Sequence, residues 1–126
     1  MEDVEFSDEF CRFIQTAIPA VDAAELLLLL HGRQDASFTP EEAVAKLGPG
    51  VNIGDAQKHL ERFHEKGLVS VENRRYRYRP ASEASRFVET LAQAYVQRPV
   101  TLIRVIYALR DSKIQTFADA FKIRRG

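Results

Sequence analysis

The strongest constraint in this chain is the alternation Arg75-Tyr76-Arg77-Tyr78-Arg79. A pleated strand points successive side chains to opposite faces, so Tyr76 and Tyr78 fall on one side and the three arginines on the other. The tyrosines call for a core, and the arginines for solvent or an anion. Residues 68–72, Leu-Val-Ser-Val-Glu, also have strand composition. Asn73 tolerates positive φ, so residues 68–79 predict a β-hairpin with a tight turn, ended by Pro80.

Before the hairpin the apolar spacing is helical. Ser7 predicts an N-cap, with Asp8 and Glu9 in the first turn of a helix over about 7–18. Its stripe is Phe6, Phe10, Phe13, Ile14, Ala17 and Ile18. A second helix over about 20–31 carries five consecutive leucines, Leu26 to Leu30. A helix apolar on more than one face belongs at the centre of a core. Residues 36–38 suit a short strand. Thr39-Pro40-Glu41-Glu42 then predicts a capped start with proline at the first helical position, for a helix ending near Leu47. Asn52 predicts the next cap, with Ile53, Ala56, Leu60 and Phe63 on the inner face. Gly67 closes this helix after Lys66, and Leu68 folds back onto Phe63. Outward lie Gly54, Asp55, Gln57, Lys58, Glu61, Arg62 and Glu65.

After Pro80, Ser82 predicts the cap of a helix to about Gln97 that buries Phe87, Val88, Leu91, Tyr95 and Val96. Pro99 breaks it. Residues 100–109 form another helix, and Ser112 caps a last one with Ile114, Phe117, Ala118 and Phe121 in line. The expected fold is mainly α with a small β-hairpin, in one domain over 1–126. Its core spans about 20–80, with an N-terminal helix (about 7–18) and a C-terminal helical extension (about 82–122).

Net charge is zero, yet residues 1–66 hold thirteen Asp/Glu against six Lys/Arg and residues 67–126 hold five against twelve. The basic second part suits a polyanion or an acidic partner, or else the two parts neutralise each other. Cys11 is the only cysteine, which excludes a disulfide framework or a cysteine zinc cluster within one chain and fits a reducing cytoplasm. His59 and His64 stand five apart, off the spacing of a helical metal pair, so no metal is expected. No GxSxG, P-loop, HExxH or CxxC occurs, so neither an enzyme nor a cofactor is expected. The leucine run is too short to span a membrane.

The order helix, short strand, helix, helix, strand, turn, strand, and above all Leu60-Glu-Arg-Phe-His-Glu-Lys-Gly-Leu-Val-Ser-Val-Glu-Asn-Arg-Arg-Tyr-Arg-Tyr-Arg-Pro80, resembles the winged helix-turn-helix family. Within it the chain looks like small bacterial regulators of the multiple-antibiotic-resistance type. RPVTLIRVIYAL and SKIQTFADAF resemble a family of small bacterial winged-helix proteins without a defined role. The resemblance makes 40–47 the positioning helix, 53–66 the recognition helix and 72–75 the wing tip. It implies duplex DNA as partner, read by Asn52, Gln57, Lys58 and Arg62, with Asn73, Arg74, Arg75 and Arg77 on the wing. Asp55 and Glu61 on the same face favour the alternative, a winged-helix module that binds protein and not DNA. The run Val100–Leu109 adds apolar surface, from which a homodimer through Leu102, Ile103, Ile106 and Leu109 is expected. The other option folds both helices, 82–97 and 100–109, back onto the leucine helix within one monomer.

Overall fold

The computed structural model describes residues 6–111, with side chains through Leu109. Helix α1 (Asp8–Ala17) starts where Ser7 Oγ accepts the Phe10 N–H at 3.0 Å. Helix α2 (Val21–Gly32) is the centre of the core: Leu26, Leu27 and Leu30 are fully buried and Leu28 and Leu29 half-buried. Strand β1 (Ser37–Phe38) leads into α3 (Pro40–Leu47). There the Thr39 hydroxyl accepts the Glu42 N–H, and the Glu42 carboxylate accepts the Thr39 N–H, both at 3.1 Å. This reciprocal cap satisfies two donors that a helix start leaves open.

Helix α4 (Ile53–Glu65) buries Ala56, Leu60 and Phe63. At its end Leu68 N–H donates to Phe63 O at 2.9 Å and Gly67 N–H to His64 O at 3.1 Å, the paired bonds of a Schellman ending. Gly67 sits at φ +76°, where a side chain would be strained. Strands β2 (Val69–Glu72) and β3 (Arg75–Tyr78) follow, then helices α5 (Ser82–Gln97) and α6 (Pro99–Asp111).

The sheet is antiparallel in the order β1-β3-β2, so β3 is the central strand. Ser37 faces Arg77, and Phe38 faces Tyr76; across the hairpin Ser70 faces Arg77 and Glu72 faces Arg75. That register leaves a two-residue turn. Its residues Asn73 (φ 54°) and Arg74 (φ 62°) are both left-handed, as a type I′ turn requires. Tyr76 and Tyr78 are buried, and Arg75, Arg77 and Arg79 are exposed, as the alternation predicts.

Polar bonds tie α2 to its neighbours around this apolar centre. Asp22 meets His59 of α4 at 3.3 Å, Glu25 accepts the Tyr95 hydroxyl of α5 at 3.0 Å, and His31 meets Glu89 of α5 at 2.9 Å.

Several expectations are corrected. Ser82 does not cap α5. Ala81 N–H donates to Gly67 O at 2.8 Å, which holds Ala81 extended, so Ala81 is the N-cap and no side chain caps. Ile53 is 43% exposed, because the first residue of α4 overhangs the end of the inner face. Val96 is 78% exposed; it lies about 140° around the helix from the buried Leu91. Pro99 does not merely break the chain but opens α6, a position that suits proline.

Leu102, Ile106 and Leu109 are buried in the core of their own chain and Ile103 is half-buried, so these residues do not form the exposed patch from which a homodimer was expected. The reason is that α6 packs on α1 and α5, covering apolar surface on all three helices. Phe13 of α1 stacks on Phe87 of α5 at 5.4 Å. The helix expected after Ser112 lies outside the described residues. Among the described residues no single helix is long and apolar enough to cross a membrane.

Two stability changes follow. Gly67→Ala places a side chain at φ +76° and is expected to lower unfolding free energy by about 1–2 kcal/mol in urea titration. The Tyr78 hydroxyl is buried without a hydrogen-bond partner among the described residues, and burial, then the Glu89 charge, push its pKa up to about 12. Tyr78→Phe removes that unsatisfied group and is expected to raise stability by about 1 kcal/mol in the same assay.

Candidate nucleic-acid interface

The outward face of α4 is set by its cap. Asn52 Oδ1 accepts the Asp55 N–H at 2.7 Å, and Asn52 Nδ2 donates to the Asp55 carboxylate at 3.0 Å. Asn52 is thereby committed to the helix start. Gln57 Nε2 donates to Glu61 Oε2 at 3.1 Å, one turn further on. Lys58 and Arg62 are exposed and make no ion pair among the described residues. Of the four residues expected on the recognition helix, two are engaged locally and two present open positive charge.

The hairpin tip is held differently. Arg74 reaches back to Glu41 at 3.3 Å. Arg75 donates to Glu42 at 3.0 Å, to Ser37 Oγ at 3.1 Å and to Ser37 O at 3.1 Å. Both carboxylates belong to the first turn of α3, where the helix dipole also favours them. The hairpin tip and the start of α3 are therefore joined by two exposed ion pairs of the kind that salt screens and a competing anion displaces. Asn73 supplies turn geometry, with no side-chain bond described. Arg77 Nε donates to Gln34 O at 3.0 Å, a neutral partner that leaves its charge uncompensated.

Arg75, Arg77 and Arg79 line an open trough of about 570 Å³ on the outer face of the sheet, together with Ser37, Ser70, Glu72 and Asn73. Arg79, Ser37 and Ser70 were not among the residues that the resemblance assigned to the DNA surface. The alternation already places Arg79 on this face. Ser37 and Ser70 come beside Arg77 only through strand pairing, which leaves no local signal.

The structure thus brings together Arg74, Arg75 and Arg77 with Glu41, Glu42 and Ser37. Among the described residues no group of three His, Cys, Asp or Glu side chains is arranged to hold a metal ion. No protein-family model, no curated protein and no solved structure matches the chain.

The pairing sets a pH response. The backbone hydrogen bond from Thr39 first, and the Arg75 guanidinium second, hold the Glu42 carboxyl below its ordinary value of 4.5. A depressed carboxyl favours the folded state above its unfolded value, and that contribution disappears as pH falls through the folded value. A ¹³C carboxyl titration is expected to place the Glu42 midpoint below 4.5 and to move it upward in Arg75→Gln.

Proposed function

We propose that residues 20–80 form a winged helix-turn-helix unit and that the chain binds double-stranded DNA as a transcriptional regulator. The order α2–β1–α3–α4–β2–β3, with β1 paired to β3, supports this reading. In it α3 positions α4, and the start of α4 enters the major groove. Lys58 and Arg62 meet phosphates or guanine edges, and the hairpin arginines meet the backbone.

The observation that carries the proposal is the link between the hairpin tip and α3. Arg74–Glu41 and Arg75–Glu42 fix the tip to the helix that packs against α4. A duplex laid along α4 would find these arginines within reach, and its phosphates would take over from Glu41 and Glu42.

The second reading, a winged-helix module that binds protein, is favoured by the same pairs seen the other way. Arg74, Arg75 and Gln57 are already matched inside the chain, and a face of balanced charge suits a protein surface better than a polyanion.

A salt series separates them. Duplex affinity is expected to fall steeply with salt, and Arg74→Ala with Arg75→Ala to flatten the log–log slope by about 1.8, from about 0.9 per phosphate contact. Failure of the purified chain to retain any duplex at low salt would leave the protein-binding module as the reading.

A further inference from the structure

The positive charge of the hairpin is not greatest at its tip. Arg74 and Arg75 are matched by Glu41 and Glu42, and Glu72 faces Arg75 across the strands. Farther from the turn, Arg77 on β3 gives only its Nε, to a backbone carbonyl, and Arg79, just past the strand, has no side-chain partner among the described residues. Net charge therefore rises from the turn toward the base of the hairpin.

The trough over these two arginines has a definite shape. Its floor is the central strand of the sheet, and in the Arg77 row both neighbours are serines, Ser37 and Ser70. Serines are too short to cover a guanidinium, and each adds a hydroxyl beside it. Alternate residues of a strand stand roughly 6.6–6.8 Å apart, so the arginines form a ladder and not a single clamp. The step is comparable to that between successive phosphates in an extended nucleic-acid strand.

The lining also limits the ligand. It holds arginine, serine, asparagine and glutamate and no apolar or aromatic side chain, so nothing there would bury a peptide side chain or stack a base. Guanidinium forks match the oxygens of phosphate in pairs. We propose that this trough binds phosphate groups spaced one arginine step apart along an extended chain, successive ones of a phosphodiester or alternate ones of a polyphosphate, through Arg77 and Arg79 with Ser37 and Ser70 donating alongside. Arg75 joins them when a phosphate displaces Glu42. The site shares Arg75 and Arg77 with the hairpin contacts proposed for duplex DNA, but it adds Arg79, Ser37 and Ser70 and uses nothing on the outward face of α4.

The test is a titration of the full chain at low salt, followed through arginine Nε–H signals. Tripolyphosphate is expected to shift Arg77 and Arg79. Arg77→Gln with Arg79→Gln is expected to weaken binding by about tenfold or more, as loss of charge-assisted bonds implies. Arg77→Lys with Arg79→Lys, which keeps the charge and loses the fork, is expected to bind between the two. Lys46→Gln with Lys66→Gln, two exposed cations outside the trough, is expected to bind tripolyphosphate as the parent does, and thermal melts establish that each variant is folded.

An oligothymidylate of about 12 nucleotides distinguishes the sources of phosphate: tighter binding than tripolyphosphate assigns the polymer, and equal or weaker binding assigns the free polyphosphate. Unmoved Arg77 and Arg79 signals, a folded glutamine variant that binds like the parent, or equal binding of a polyglutamate peptide of matched charge each overturn the proposal. Duplex retention without tripolyphosphate binding sinks this site and leaves the regulator reading standing; tripolyphosphate binding without duplex retention does the reverse.

Discussion

Burial of α2 is the constraint on which the other elements depend. Three of its leucines are fully buried, and no single neighbour is wide enough to cover a helix that is apolar on several faces. Helices α3, α4 and α5 and strand β3 all pack against it. Its polar side chains then select the arrangement: Asp22 reaches α4, while Glu25 and His31 reach α5. Apolar contact is tolerant of small rotations, whereas a hydrogen bond fixes direction. The leucines thus supply the cohesion, and these bonds orient α4 and α5 about a common axis.

What could be read in the sequence was whatever is encoded within a few residues. The Thr39 capping box, the Gly67 ending and the Tyr76/Tyr78 alternation each depend on neighbours two to five positions away, and each stands as expected. Fold class was legible for that reason, down to six helices and a small sheet among the described residues. What failed was local only in appearance. Ser82 has the chemistry of a cap, but a bond between Ala81 and Gly67 decides where the helix begins. Val96 is apolar, yet its rotation about α5 turns it outward. The fate of Leu102, Ile106 and Leu109 depended on α1, which lies about ninety residues earlier in the chain.

The candidate site divides along the same line. Sequence placed arginines on one face of a strand, which is a matter of period. It did not indicate that Glu41 and Glu42 would meet Arg74 and Arg75, since that pairing joins residues thirty-three positions apart. The uneven charge of the two parts of the chain is thus partly resolved inside the molecule, at the hairpin tip. It is left unresolved at Arg77 and Arg79. Electrostatic character belongs to the pairing and not to the residue count.

The turn at Asn73 and Arg74 has one more implication. A two-residue turn with both φ values positive is most easily made by Asn-Gly, and the second position here is arginine. The backbone at that point would be more relaxed with glycine, which has no Cβ to crowd a positive φ. Arg74 is therefore a point of local frustration, where the conformational preference of the chain and the chemistry displayed at its surface disagree. In sequences otherwise consistent from cap to core, such disagreements tend to mark surfaces kept for something other than folding.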